Sequence, residues 1–320
     1  MIKKLLIFLF VVVILIIFAG GFMIWFQTKG EPANQLEQTY MTPADRFVEV
    51  AGVRVRVREE GPVDAQPLVL IHGFTFSLET WDAWAEELKS DYRVIRYDLL
   101  GHGLTGPDPQ SRYAPQERAV FLGQLLEALE LEQPVIAGNS LGGLAAWRFA
   151  ATAPESLAAL ILVSPGAYPQ NGVTEEPAEV PDAMKAYLLL APPEGVKMSA
   201  DLIYADGNKI TPERLTVLRD MMRREGNGPA MIESVEEFVL PDPEPLLSKI
   251  TVPTLILWGE EDLLIPPADG VRMQKTIADA RLITYPGVGH SAQEEAPAQT
   301  VADVRLFLEG ALARPVTGDQ

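Results

Sequence analysis

The sequence has no cysteine, few basic residues and only three histidines. Without cysteine, the chain can form no disulfide framework, thiolate zinc site, cysteine-ligated iron–sulfur cluster or cysteine nucleophile. The 26 Lys and Arg residues are outnumbered by 44 Asp and Glu residues, which gives a formal net charge of −18. That charge argues against a nucleic-acid-binding protein, because phosphate backbones are bound by basic surfaces.

Apolar residues are abundant, at 48% of the chain, and charged residues make up only 22%. This balance excludes a disordered protein, and 320 residues are enough to bury a full-sized core. The length predicts one large α/β domain or two small domains.

An uninterrupted apolar stretch without charge or proline runs from Leu5 to Phe26. As a helix its 22 residues would extend about 33 Å, enough to cross a bilayer core of about 30 Å. Lys3 and Lys4 precede it, so the positive-inside rule predicts a cytoplasmic N-terminus and a chain that continues outside, which is the periplasm if the source is a Gram-negative bacterium. We expect residues 1–27 to be an uncleaved signal anchor, with a cleaved, secreted form as the alternative.

The rest of the chain is predicted to contain a linker, a core in two parts, a cap and a tail. Residues 28–45 are predicted to be a polar linker and residues 314–320 a tail. In the core, residues 46–164 and 250–313, short apolar runs alternate with helical-period segments, which predicts a mostly parallel sheet covered by helices on both faces. Between the core parts, residues 165–249 hold helical pieces without a clear buried strand, so we expect a helical cap.

The segment Gly138-Asn139-Ser140-Leu141-Gly142 matches the pattern Gly-x-Ser-x-Gly. It lies between a predicted strand, 135–137, and a predicted helix, 141–151, which is the setting of a nucleophile elbow. Glycines beside a serine in a strained turn let the strand and the helix approach each other. A dinucleotide-binding turn is disfavoured because the G-x-G-x-x-G spacing is absent. Ser140 is therefore the candidate nucleophile.

A serine hydroxyl needs a base that accepts its proton, and the chain offers three histidines. His72 and His102 precede Ser140. His290 follows the last predicted strand, on a loop at the carboxyl ends of the strands, where a parallel sheet builds its site. We therefore predict His290 as the base.

Three carboxylates, Glu260, Glu261 and Asp262, follow the predicted strand 254–258. A carboxylate at this place would hold the histidine tautomer and stabilise the imidazolium. These motifs resemble the alpha/beta-hydrolase superfamily, and within it the capped microbial serine esterases and lipases with a G-N-S-[LM]-G-G elbow. The resemblance implies an eight-stranded, mostly parallel sheet. The superfamily's G-x-x-D pattern at this position implies Asp262 as the triad acid, and the order of serine, acid and histidine along the chain also matches.

The resemblance also implies an oxyanion hole formed by two backbone N–H groups, those of Leu141 and Phe74. It gives His72 a role in shaping the loop before Phe74. Asp98 and His102 lie in a turn that resembles the superfamily's D-x-x-G-x-G, and we expect both to be structural.

The sequence therefore predicts a membrane-anchored serine hydrolase that acts on a small-molecule ester or lipid and needs neither metal nor organic cofactor. A serine at the elbow argues against the haloalkane dehalogenases and epoxide hydrolases, which resemble this chain but carry aspartate there. Three alternatives stay open: a carbon–carbon hydrolase of the ring-cleavage type, a cofactor-free haloperoxidase-like hydrolase, and a non-catalytic membrane-tethered binding protein. Apolar residues of the predicted cap are candidates for the substrate pocket, namely Tyr187, Leu189, Met221 and Met222.

Overall fold

The computed structural model describes residues 28–170 and 172–313. The stretch predicted as a signal anchor, residues 1–27, and the predicted tail, residues 314–320, lie outside the described residues. Within the described ranges, no helix is both long enough and apolar enough to span a membrane.

Eight strands form one mostly parallel sheet, which confirms the predicted fold class. They are β1 Asp45–Val50, β2 Val53–Glu60, β3 Pro67–Ile71, β4 Arg93–Tyr97, β5 Val135–Asn139, β6 Ala159–Val163, β7 Thr254–Gly259 and β8 Ala280–Tyr285. Their spatial order is β1-β2-β4-β3-β5-β6-β7-β8. β2 runs antiparallel to both of its neighbours, and the remaining pairings are parallel.

The sheet begins with a two-residue hairpin. Val50 pairs with Val53, and the connecting Ala51 and Gly52 have φ angles of 46° and 84°. Two consecutive positive φ angles are typical of a type I′ turn, whose twist matches that of an antiparallel pair. Residues 45–60 therefore form an antiparallel hairpin at the edge of the sheet.

Helices flank the sheet and form the connection between β6 and β7. They are α1 Ala33–Tyr40, α2 Asp82–Leu88, α3 Pro115–Ala128, α4 Leu141–Thr152, α5 Asp182–Leu190, α6 Pro193–Ile203, α7 Pro212–Arg223, α8 Asn227–Glu236, α9 Glu244–Leu247, α10 Pro267–Thr276, α11 Ala292–Glu295 and α12 Pro297–Leu312.

Successive side chains of the central strands point to opposite faces of the sheet. In β3, Leu68 and Leu70 pack in the apolar layer that includes α2 and α12, whereas Val69 and Ile71 pack in the layer that includes α3 and α4. Because both faces are covered, these strands are continuously apolar rather than alternating.

Helices α5 to α9 form an insertion between β6 and β7, in the segment predicted as the cap. Leu188, Val196, Leu218 and Met231 are buried in its own apolar cluster. Phe76, from the loop after β3, is buried in the same cluster. The cap therefore rests on the edge of the sheet at which the strands β3 and β5 end.

The segment of residues 28–45, predicted as a polar linker, does not lack regular structure. It contains helix α1, and Leu36 on this helix is 4% exposed, packed against Leu104 and Met221. Pro32 stands at the N-cap, where proline does not interrupt the hydrogen bonds of a helix, and Pro43 lies beyond the last turn. The linker prediction is therefore wrong for residues 33–40.

Candidate active site

Ser140 lies at the sharp turn between β5 and α4, with φ 53° and ψ −114°. This conformation is strained for a residue with a Cβ atom. The turn also requires close backbone approach: a Cβ atom on Gly138 would lie 2.5 Å from the carbonyl oxygen of Gly142. A Cβ atom on Gly142 would lie 2.5 Å from the carbonyl oxygen of His72. The two glycines of the Gly-x-Ser-x-Gly segment are thus both required by packing.

His290 and Asp262 are brought together at the carboxyl ends of the strands. Nδ1 of His290 lies 2.8 Å from Oδ2 of Asp262, and both side chains are buried. The other oxygen of Asp262 accepts the backbone N–H groups of Leu264 and Ile265, each at 2.9 Å. A carboxylate that only accepts assigns the Nδ1 proton to His290 and leaves Nε2 free to accept a proton.

The electrostatics of this pair favour an ionised Asp262. Burial raises the pKa of its carboxyl, but the neighbouring His290 and the two backbone donors outweigh burial and hold the pKa below its usual value. The carboxylate is therefore available to orient an imidazole and to stabilise an imidazolium.

The loop that carries His290 is fixed to the cap by backbone hydrogen bonds. The N–H of His290 donates to the carbonyl oxygen of Ile203, at 2.7 Å. Glu295, which is 7% exposed, accepts the N–H of Gly289 at 2.7 Å and that of Ala205, in the cap, at 3.0 Å. No motif predicts the role of Glu295; its signal in the sequence is an acidic residue at the end of the short helix after His290.

The two residues predicted to form an oxyanion hole flank Ser140. Leu141 is the first residue of α4, where backbone N–H groups have no acceptor within the helix. Phe74 lies in the loop after β3, and a Cβ atom on the adjacent Gly73 would lie 3.2 Å from Cβ of Ser140. The loop therefore passes directly against the serine, and both N–H groups belong to backbone next to it.

His72 shapes this loop from beneath. Its Nδ1–H donates to the carbonyl oxygen of Gly73 at 2.8 Å, and its Nε2 accepts the N–H of Leu99 at 2.9 Å. Burial lowers the pKa of His72 to about 4, so the ring is neutral near pH 7 and keeps this tautomer. His102 is also buried, and its ring lies 5.4 Å from the ring of Phe74. Both histidines lie below the loop.

Asp98 has a structural role. Its carboxylate accepts the backbone N–H groups of Leu78 and Leu104, both at 2.8 Å, and contacts the buried Arg56 at 3.3 Å. It therefore connects the turn after β4 to the segment that follows the oxyanion loop.

Two cavities meet at Ser140. Cavity A has a volume of about 300 Å³, and its lining includes Ser140, Leu141, Val235, Phe238 and Leu240. Cavity B has a volume of about 250 Å³, and its lining includes Ser140, His290, Tyr187, Ser199 and Leu202. Phe74 and Leu264 line both cavities. Within the described part of the chain, neither lining includes an Asp, Glu, Lys or Arg side chain.

The four candidate pocket residues of the cap are placed differently. Tyr187 lines cavity B, and its hydroxyl donates to Ser199 at 2.9 Å. Leu189 packs against Gly228 of α8, Met222 is buried in the cap cluster, and Met221 is buried against α1. These three residues therefore pack between helices and line neither cavity, contrary to the substrate contacts predicted for them.

In the described ranges, no three His, Asp or Glu side chains are grouped to hold a metal ion.

The chain belongs to the alpha/beta hydrolase family, whose model matches residues 68–304. Non-heme chloroperoxidase from Burkholderia pyrrocinia is 31% identical to it over 262 residues, which cover 74% of this chain and 90% of the relative. Lipase 3 from Moraxella sp. (strain TA144) is 24% identical over 261 residues, which cover 81% and 82%. The 2-hydroxy-6-oxononadienedioate/2-hydroxy-6-oxononatrienedioate hydrolase of Escherichia coli O81 (strain ED1a) is 27% identical over 257 residues, which cover 78% and 89%. Since these relatives differ in reaction, the substrate has to be argued from the site.

Proposed function

We propose that this protein is a serine hydrolase that cleaves carboxylic esters through an acyl-enzyme on Ser140, with His290 as the base and Asp262 as the triad acid. The observation that carries the proposal is the 2.8 Å hydrogen bond between His290 and Asp262, beside a cavity that Ser140 and His290 both line. The similarity to Lipase 3 supports it.

In the proposed mechanism, Oγ of Ser140 attacks the ester carbonyl carbon while Nε2 of His290 takes the hydroxyl proton. The tetrahedral oxyanion accepts hydrogen bonds from the N–H groups of Phe74 and Leu141. His290 then gives its proton to the alcohol oxygen as the carbon–oxygen bond breaks. Water, deprotonated by the same imidazole, then attacks the acyl carbon. The bond from this carbon to Oγ breaks and His290 returns the proton to Oγ, which releases the acid and restores Ser140. Asp262 stabilises the imidazolium at both stages, and no step requires a metal or an organic cofactor.

The charge of the site favours a neutral substrate. The residues that line the two cavities supply no cationic side chain apart from a protonated His290. A dianion such as the dioate in the name of the E. coli relative would lose its hydration there without a fixed cation in return. The uncharged lining therefore favours ester cleavage over carbon–carbon cleavage of such a dioate.

The membrane location is part of the proposal. Residues 1–27 act as a signal anchor, with the N-terminus in the cytoplasm and the catalytic domain outside. Full-length protein is then expected in the membrane fraction after an alkaline wash, and protease added to intact spheroplasts should degrade the catalytic domain. Recovery in the soluble fraction, or protection from protease, would contradict this location.

The first test uses the full-length chain in detergent with 4-nitrophenyl butyrate and a fluorophosphonate label. Wild type is expected to be labelled and to hydrolyse the ester. In Ser140→Ala labelling should disappear and kcat should fall at least about a thousandfold, because the nucleophile is lost. A matched control is Ser90→Ala, at an exposed serine, which should behave like wild type.

Two results would contradict the proposed function. One is turnover by Ser140→Ala at the wild-type rate. The other is folded wild type that neither reacts with the label nor hydrolyses any ester, in which case the carbon–carbon hydrolase and the non-catalytic binding protein become the better hypotheses. Bromide oxidation without ester turnover would favour the haloperoxidase-like alternative.

A further inference from the structure

We infer that the two cavities bind opposite sides of the ester, with the acyl chain in cavity A and the alcohol in cavity B. The substrates are therefore esters whose acyl chain has up to about eight carbons. The inference rests on the proposed function, since it takes Ser140 as the nucleophile. It adds the substrate class and the residues that set the limits.

The linings of the two cavities differ in the groups that matter for the reaction. Ser140 and Phe74 line both cavities. His290 lines only cavity B, and Leu141 lines only cavity A. A substrate that spans the serine therefore has one side next to the proton donor and the other side next to the helix N-terminus.

The direction of the ester follows from the proton transfers. The leaving alcohol oxygen must reach Nε2 of His290, because that atom supplies its proton. The carbonyl oxygen must face the N–H groups of Phe74 and Leu141. An ester group held by these contacts directs its alcohol toward cavity B and its acyl chain away from His290, into cavity A.

The size of cavity A sets the chain length. A volume of about 300 Å³ holds roughly ten groups if each takes about 30 Å³, the volume of one water molecule in the liquid. The carbonyl group and imperfect filling reduce this to a chain of about eight carbons. Val235, on the last turn of α8, and Phe238, just after it, form the cap side of this cavity.

The wall of cavity B is less fixed. It includes Met184 of α5 and Leu202 of α6, which are 44% and 48% exposed. Exposed side chains on the cap helices can change rotamer to make room, so we expect kcat/KM to depend less on the size of the alcohol than on the length of the acyl chain. A larger side chain in the wall of one cavity should therefore change the specificity for only one side of the substrate.

The test measures kcat/KM by pH-stat for the full-length chain in detergent, with two series of esters. In the first series the alcohol is methanol and the acid runs from acetate to hexadecanoate. In the second the acid is butyrate and the alcohol runs from methanol to octanol. For wild type, kcat/KM should rise by roughly fourfold per buried methylene up to about eight acyl carbons and then stop rising.

Two variants fill the cavities separately. Val235→Trp should lower the octanoate-to-acetate ratio of kcat/KM at least tenfold and change the octyl-to-methyl ratio less than twofold. Leu202→Trp should lower the octyl-to-methyl ratio at least threefold and change the acyl ratio less than twofold. The matched controls are Val120→Trp and Leu306→Trp, at residues 53% and 58% exposed on α3 and α12, which should keep both wild-type ratios.

The assignment is overturned if Val235→Trp changes the alcohol ratio instead of the acyl ratio, or if neither cavity variant changes its ratio although Ser140 is still labelled by a fluorophosphonate. Val235→Phe and Leu202→Phe replace the tryptophan variants if those do not fold. Failure of the proposed function looks different, because wild type itself would then show neither labelling nor turnover in either series.

Discussion

His72 is a buried imidazole whose environment disfavours its charged form. Burial lowers its pKa to about 4, whereas an exposed histidine titrates near 6.5. The unfolded state therefore binds this proton more readily than the folded state. The stability that depends on a neutral His72 is fully present above about pH 6.5, and it is lost progressively as the pH falls toward 4.

We expect His72→Asn to reduce the acid sensitivity of the protein. Between pH 6.5 and pH 5, the free energy of unfolding of wild type should fall by about 2 kcal/mol more than that of the variant, because the variant has no imidazole to protonate at this position. At pH 7.5 the variant should be less stable, since the N–H of Leu99 loses its acceptor. Urea unfolding at each pH measures both effects, and identical pH dependence of the two proteins would contradict the assignment.

At the scale of single residues, the sequence predicts the roles of some side chains well and those of others poorly. Ser140, Asp262 and His290 could be selected because each has a motif tied to one place in the fold, and the structure brings Asp262 and His290 into contact. The sequence could not distinguish Met221 and Met222 from residues that line the pocket. Consecutive residues of a helix point in different directions, and which element each side chain packs against depends on the tertiary structure. The placement of Met221 against α1 depends on a helix that sequence analysis did not predict.

At the scale of elements, Glu295 joins the loop of His290 to the cap. Its two oxygens accept backbone N–H groups from Gly289 and from Ala205, one on each side of the interface. We expect Glu295→Gln to lower kcat about tenfold and to destabilise the fold by about 1–3 kcal/mol, because an amide offers only one acceptor and its NH2 group faces a second donor. Ester kinetics and urea unfolding measure the two effects.

Glu261→Gln is the matched control for this prediction. Glu261 is exposed and accepts the N–H of Val288, in the same loop, at 3.1 Å, but it has no partner in the cap among its described hydrogen bonds. The control should change kcat less than twofold. Equal effects of the two variants would show that contact with the loop matters and that the connection to the cap does not.

Most elements were predictable from the sequence because their apolar periods are clear. The predicted strands 135–137 and 254–258 and the predicted helix 141–151 agree with the structure to within two residues at each end. Helix α1 was missed because it is short and polar, with one buried residue, Leu36, and its stability depends on packing against the cap.

At the scale of the whole molecule, the segment before the sheet is attached to the cap. The N–H of Glu31 donates to the carbonyl oxygen of Arg223 at 2.6 Å, and the hydroxyl of Tyr40 donates to Asp220 at 2.6 Å. Together with the buried Leu36, these contacts fix residues 31–40 to α7. This docking depends on residues far apart in the chain, so no local pattern could have predicted it.

Two truncations test the docking. A chain that starts at Thr28 should keep the Tm of the full-length protein in the same detergent, whereas a chain that starts at Thr42 should melt about 5 °C lower. The second truncation exposes Met221 and Leu104, and a buried leucine such as Leu36 contributes about 1.5–3 kcal/mol. Differential scanning fluorimetry measures the difference, and equal Tm values for the two truncations would rule out a stabilising role of α1.

The position of the cap within the chain has a consequence for biosynthesis. β6 pairs with β5 on one side and with β7 on the other, and about 90 residues separate the end of β6 from the start of β7. At roughly 5–20 residues per second, a ribosome needs about 5–20 s to make that interval. During this time the apolar edge of β6 has no partner strand, which makes the nascent chain a target for aggregation and for chaperones that cover exposed strands.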